Sequence, residues 1–314
     1  MPTTKQRFEG ALLGLATSDA LGVSVAFKSP GQFTPVSDLQ GGGAFSLAPG
    51  AWTKHTSTAL CLAESFIETR SFDPTDQLER YLRWWRTGHL SSTGECFDVD
   101  TTMKAALRRY ERNQDAYSGS TSFGTAGNGS LTRVAPVALV YAQRPLEALQ
   151  KAALSSRTTH AAIEPMDACR YLTALILGAL RGQSKRALLE PRYSPVADAW
   201  EKAPLVPGID AVAAGSFREK EPPEITAGSF VVTSLEAALW AFCNSNSFEE
   251  GALLAVNLGE DAEAVGAIYG QLAGAYYGVN AIPGRWLERL AKLPLLQDMS
   301  QKLYELAKKT TAKG

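Results

Sequence analysis

The chain has 314 residues, with 31 lysines and arginines against 32 aspartates and glutamates, and its net charge of −1 supplies no bulk attraction for nucleic acid or for an anionic membrane. Three histidines, at 55, 89 and 160, are too few for a multi-histidine metal cluster. Cys61, Cys96, Cys169 and Cys243 form no C-x-x-C pair, which argues against a zinc ribbon or a redox dithiol and suggests four buried thiols in a reducing cytosol. Any chemistry then falls to carboxylates.

Along the chain, Ala11–Ala16 is apolar but short, and Glu9 and Asp19 interrupt its surroundings, so it does not read as a signal peptide. Residues 29–50 contain three prolines and five glycines and read as a loop. Apolar stripes at helical spacing follow over 58–68, 78–85, 102–110, 146–153 and 166–180. Within the last of these, the apolar run from Tyr171 to Leu180 has about half the length a bilayer needs. Residues 186–228 contain six prolines and read as a second loop. Residues 229–232 are the best strand candidate, and helical spacing resumes over 234–242, 250–256 and 262–277. A C-terminal amphipathic helix is expected over 294–309, with the last five residues fraying. No repeat of 20–50 residues is present. These patterns predict an all-α, single-domain protein of roughly ten or more helices spanning 1–314, located in the cytoplasm, with no nucleic acid or membrane among its partners.

Gly266, Gly270, Gly274 and Gly278 recur every four residues, as do Gly10, Gly14, Ser18 and Gly22. On a helix such residues share one face, which leaves a stripe almost bare of side chains. Interior glycine costs about 1 kcal/mol each relative to alanine, so a compensating contact is expected. The simplest is close approach of two helices, these two stripes against each other.

Polar clusters sit at four helix ends or glycine turns: 18–22, 52–57, 126–133 and 257–264. In the third, backbone N–H groups of the Gly127–Ser130 turn could hold a phosphate, but from spacing alone an ordinary helix cap at Asn128 or Ser130 is the favoured reading. In the fourth, Asp261 and Glu263 either complement a helix dipole or hold a hard cation.

Together the clusters carry a resemblance. Gly10–Ala16, Asp19-Ala20-Leu21-Gly22, Trp52-Thr53, Cys96-Phe97-Asp98, Gly127-Asn128-Gly129-Ser130, Arg133–Pro136, Thr159-His160, Ala255–Gly259, Gly266–Gly270 and Gly274-Ala275 resemble the ADP-ribosylglycohydrolases, the family that includes the dinitrogenase reductase-activating glycohydrolase. The likeness runs from about Arg7 to Leu290, the expected core (7–290). It implies an orthogonal helical bundle with a cleft for ADP-ribose or an ADP-ribosylated protein and, in active members, two Mg²⁺ or Mn²⁺ ions. It also implies that Gly127, Asn128, Gly129 and Ser130 hold the diphosphate and distal ribose, that His160 lies near the adenosine half, and that Asp98 assists attack at the ribosyl carbon. Phe123 and Phe230 are candidate walls for an adenine or ribose, or core residues.

The departures concern the metals. Active members read W-T-D-D-T where this chain has Trp52-Thr53-Lys54-His55-Thr56, and D-x-D-T where it has Asp261-Ala262-Glu263-Ala264. Ala26 stands where a glutamate is usual, and Asp100 where glycine is common. Two divalent cations need clustered carboxylates, and an ammonium about 4 Å away would repel a dication by several kcal/mol even at an effective dielectric near 20. No metal cofactor is therefore expected at Thr53, Lys54, His55, Asp261, Glu263 and Ala264. Instead Lys54 is expected to replace the metal charge, its ammonium lying among Asp261, Glu263 and Thr53. A transition metal on His55, Asp261 and Glu263 is a minor alternative. Three functions follow: a weak or inactive hydrolase that still binds ADP-ribose, a metal-independent hydrolase with Asp98 or Glu263 as base, and a non-enzymatic interaction protein on the same fold.

Overall fold

The computed structural model describes residues 1–311. In chain order the helices are α1 (Thr4–Gly22), α2 (Lys54–Thr69), α3 (Pro74–Thr87), α4 (Thr101–Asn113), α5 (Ala135–Val140), α6 (Pro145–Arg157), α7 (Ile163–Leu180), α8 (Lys185–Leu188), α9 (Ala199–Lys202), α10 (Pro207–Ala214), α11 (Val231–Cys243), α12 (Phe248–Val256), α13 (Ala262–Tyr277), α14 (Gly284–Arg289) and α15 (Leu293–Thr311). Isolated bridges, but no β-strand, occur among the described residues. None of the described helices is long and apolar enough to cross a membrane.

At the centre lie α1 and α13, buried along almost their whole lengths. A capping box starts α1: Thr3 accepts the Gln6 N–H, and the Gln6 side chain accepts the Thr3 N–H. The two glycine stripes meet, as their spacing predicts. Gly10 lies against Gly274, Gly14 against Gly270, Ser18 against Gly266, and Gly22 against the start of α13, so the helices run antiparallel. A Cβ on Gly14 would stand 2.5 Å from the Gly270 carbonyl oxygen, and one on Gly22 would stand 2.5 Å from the Glu263 nitrogen. This backbone-to-backbone contact offsets the propensity cost of the glycines through dispersion over the whole crossing. Helices α2, α7, α11, α12 and α15 pack around the pair.

Gln271 does a second job for α13. Fully buried, its side-chain amide donates to the Leu131 and Thr132 carbonyls at 3.2 and 3.0 Å and accepts the Ala135 N–H at 2.7 Å. This fixes the segment after the Gly127–Ser130 turn to the central helix.

Several expectations change. Residues 229–232 form no strand: Val231 opens α11, and only a single bridge joins Phe230 to Gly127. The stretch 186–228 contains α9 and α10 and most of α8, because Pro207 sits at the first turn of α10, where its missing N–H costs nothing, and Ser184 caps α8. Cys96 and Cys243 are only half-buried, and all four thiols are free. Of the last five residues, Thr310 and Thr311 close α15 and the other three lie outside the described residues.

Because Gly270 faces backbone, no neighbouring side chain can move aside for a methyl group. Gly270→Ala is expected to destabilise the protein by roughly 3 kcal/mol in urea unfolding, despite the better helix propensity of alanine. A neutral or stabilising effect would mean that the two helices can separate freely.

Candidate active site

Asp19 reaches across from the last turn of α1 and is fully buried. Its carboxylate accepts the Thr53 N–H at 3.2 Å, the Thr53 hydroxyl at 2.7 Å, the Thr56 N–H at 3.0 Å and the Thr56 hydroxyl at 2.6 Å. An acid from one helix thus caps the N-terminus of another, where the backbone N–H groups and the dipole favour negative charge. Burial still outweighs these donors and raises the Asp19 pKa to about 6. The cap starts α2 at Lys54, earlier than the apolar stripe suggests, and its first turn carries Lys54 and His55 into the site.

Lys54 does not lie on the expected partners. Its ammonium pairs with Asp98 at 2.5 Å, both side chains nearly buried. Asp261 and Glu263 act on it only through space, and with Asp98 they hold its pKa above the ordinary lysine value against the cost of burial. Asp98 lies before α4 rather than at its cap. Asp100 caps α4 by accepting the Met103 N–H at 2.7 Å, which leaves Asp98 on the preceding loop, facing Lys54.

His55 is buried, and its Nδ1 lies 2.9 Å from the Thr132 hydroxyl. Burial first, and the Lys54 charge second, push its pKa well below the usual value, so the ring is neutral. Glu263 is fully buried and, among the described residues, no group hydrogen-bonds to either of its oxygens. Burial, reinforced by Asp261, pushes its pKa well above the ordinary range. Asp261 accepts the Asn128 side-chain N–H at 2.7 Å, and its pKa too is raised by burial.

Above these residues opens a cleft of about 540 Å³. Asp98, Gly127, Asn128, Gly129, His160, Phe123 and Phe230 all line it, together with Lys54 and Asp261. Phe123 is two-thirds exposed and tilts against Phe230, with ring centroids 5.5 Å apart, which makes it a wall rather than a core residue. Two expected site residues do not face the cleft. Ser130 turns inward to the Ser156 hydroxyl at 2.7 Å, and Glu263 lies beneath the cleft floor. Neither Asn128 nor Ser130 serves as a helix cap: the Asn128 amide is spent on Asp261 and on the Ser234 hydroxyl at 2.9 Å.

The Gly127–Ser130 turn is held from below. Its Gly129 carbonyl accepts the Thr132 hydroxyl at 3.0 Å and the Arg133 guanidinium at 3.1 Å. A Cβ on Gly129 would come within 2.9 Å of the His160 ring, so glycine lets the turn lie flat on the imidazole. The Gly129 and Ser130 N–H groups make no hydrogen bond within the described residues. His160 is buried and its Nδ1 lies 2.8 Å from the Thr159 hydroxyl. Burial pushes its pKa down to about 4.

Sequence reasoning missed Phe27 and Ser229, which also line the cleft. Phe27 follows Ala26 in a left-handed conformation (φ 64°) that turns its ring outward onto Phe45. No periodic signal marks such a residue. Asp100, singled out only as an unusual side chain, lies at the cleft wall 3.8 Å from His160 Nε2.

With this geometry in place, comparison with known proteins decides the family: the ADP-ribosylglycohydrolase family model matches residues 1–313. The chain belongs to the ADP-ribosylglycohydrolase family. Among its relatives are the ADP-ribosylarginine hydrolases Tri1 of Serratia proteamaculans (37% identical, covering 95% of this chain and 79% of that protein) and of Pseudomonas putida (38% identical, 96% and 78%). The ADP-ribosyl-[dinitrogen reductase] glycohydrolase of Rhodospirillum rubrum is 29% identical and covers 92% of each chain. A solved structure described as an ADP-ribosylglycohydrolase-related protein complex matches with a TM-score of 0.86 and 43% identity, over 98% of this chain and all of that one. The all-α ADP-ribosylglycohydrolase fold is thereby established. Where the family implies metal ions, this chain brings ligand atoms of His55, Asp261 and Glu263 within 4.8 Å of one another.

Two outcomes follow from the buried charges. Lys54→Met leaves Asp98, Asp261 and Glu263 facing one another and is expected to cost roughly 3 kcal/mol in urea unfolding, whereas Asp98→Asn, which leaves Lys54 two other acids, costs about 1 kcal/mol. Equal costs would mean that only the Asp98 contact matters. His160 titrates near 6.5 when unfolded and near 4 when folded, so the unfolded chain binds the proton more readily in between. Stability therefore falls as pH drops through that window, by up to roughly 3 kcal/mol from this group. In His160→Gln this component of the acid loss is absent, which urea midpoints at pH 7, 5 and 4 would reveal.

Proposed function

We propose that this chain binds ADP-ribosyl groups, including those carried on protein arginine, and cleaves them slowly or not at all by the two-cation route of active family members. The observation that carries the reading is the Lys54 ammonium on Asp98 inside the cleft. An acid suited to assist attack at the ribosyl carbon is held there by a positive charge that takes the place of one of the two dications of the family's route. The donor set points the same way. Thr53 spends its hydroxyl proton on Asp19, Ala26 and Ala264 offer no side-chain oxygen, and His55 presents nitrogen. Two hard cations, each wanting several oxygens, do not fit this set.

Ligand-binding parts support the other half of the reading. At the cleft, the Gly129 N–H has no hydrogen-bond partner among the described residues and is available to an anion such as a diphosphate. Phe123 and Phe230 offer aromatic faces to a base. Asp98, Asp100 and Asp261 line the cleft against the single ammonium of Lys54, an excess of acid that favours a guanidinium at the other end of the ligand.

The names of the Tri1 relatives favour a second reading, an active ADP-ribosylarginine hydrolase with a rearranged site in which Lys54 supplies the positive charge. Calorimetric titration with ADP-ribose, run beside release of ADP-ribose from modified arginine protein, separates the two. Saturable binding, weakened at least tenfold in Gly129→Ala, with little turnover and no stimulation by Mg²⁺ or Mn²⁺, is expected. Metal-stimulated turnover overturns the proposal. Turnover that survives chelation moves the assignment to the second reading, and absence of both binding and turnover leaves an interaction protein. Restoring aspartate at 54 and 55 together is expected to recover little activity, because Ala26 and Ala264 remain.

A further inference from the structure

Below the cleft, three buried polar atoms have no hydrogen-bonding partners among the described residues, His55 Nε2 and both Glu263 oxygens, and a ligand atom of each residue lies within 4.8 Å of the other and of one from Asp261. Stranding polar atoms in this way costs stability, and their chemistry is complementary to a cation. The direction of the His55 lone pair follows from its neighbour. The Thr132 hydroxyl has one proton, which it donates to the Gly129 carbonyl at 3.0 Å. With its proton so placed, it accepts from His55 Nδ1, 2.9 Å away. In that tautomer Nδ1 carries the hydrogen, and the unpartnered Nε2 keeps a lone pair available to a cation.

We propose that His55, Asp261 and Glu263 form a site for a single transition-metal dication of the zinc or cobalt type, replacing the pair of hard cations for which the donor set is unsuited. The three ligand atoms lie no more than 4.8 Å apart, so each is within about 2.8 Å of a common centre. Zinc takes nitrogen and oxygen at about 2.1 Å, and shifts of under about 1 Å close the site. Imidazole nitrogen suits zinc and cobalt and is a poor donor to Mg²⁺. Outer contacts are in place: Thr132 orients the imidazole, and Asn128 holds one oxygen of Asp261 and leaves the other for the ion. Asp261 also lines the cleft, which provides an entry path.

Lys54 does not veto this arrangement, because its ammonium is drawn to Asp98. Asp98, Asp261 and Glu263 are three acids around that one ammonium, and a dication brings the positive charge to three. Lysine thus stands in for one cation of the family's pair, and histidine re-tools the place of the other.

Titration of chelator-treated full-length protein with Co²⁺ tests the site without any substrate, and so independently of the proposed ligand. Expected are a visible absorption band saturating at one ion per chain, its displacement by Zn²⁺, and an affinity for Zn²⁺ at least 100-fold above that for Mg²⁺. His55→Gln should weaken Zn²⁺ binding by 10- to 100-fold, with the fold checked by circular dichroism. Should that variant not fold, Glu263→Gln serves, and the rise in melting temperature that Zn²⁺ gives the parent protein should vanish in it. Failure of Co²⁺ and Zn²⁺ to bind the parent protein, unchanged affinity in the folded variant, or two Mg²⁺ ions binding as tightly as Zn²⁺ overturns the proposal.

Discussion

The crossing of α1 and α13 brings backbone against backbone along Gly10, Gly14, Ser18 and Gly22 on one side and Gly266, Gly270 and Gly274 on the other. Side chains of ordinary size would hold two helices 8–10 Å apart; glycines remove that spacer. The site depends on the result. Asp19 leaves one end of the crossing and Glu263 begins beside Gly22 at the same end, so acids 244 residues apart in sequence become neighbours under one cleft. The closeness is set by rigid backbone, and neither acid can relax away from the charge around it.

Everything near that end can be understood as a problem of charge placement. Asp19 is neutralised in part by the start of α2 and its two threonines. Asp98 takes the Lys54 ammonium. Among the described residues, Asp261 receives a neutral amide from Asn128, and Glu263 receives no hydrogen bond. Compensation is uneven among the buried acids, from four donors on Asp19 to none on Glu263 among the described residues.

Much of the helical scaffold is legible in the sequence because the apolar stripes and the four-residue glycine spacing are local signals with a direct geometric meaning. Short helices in 186–228 are not, since a run of prolines reads as irregular until Pro207 is seen at a first turn. In the site, the residues that matter are visible as departures from a family pattern, but their pairings are not. Lys54 chooses Asp98 over Asp261 and Glu263 because Asp100, rather than Asp98, caps α4 and leaves Asp98 free to turn inward. Ser130 is spent on Ser156, a contact between segments 26 residues apart that no motif announces. The capping of α2 by Asp19 likewise depends on three-dimensional proximity created by the glycine crossing.

Asn128 occupies both halves of the site. Its backbone belongs to the glycine turn that faces the cleft, and its amide holds Asp261. A group settling into the turn and a charge settling near Asp261 therefore act on the same side chain. By thermodynamic reciprocity, any ligand that shifts Asn128 changes the affinity of the carboxylate cluster by the same factor with which an occupant of the cluster changes the affinity of the turn. One asparagine thus joins the turn and the carboxylate cluster through a single side chain.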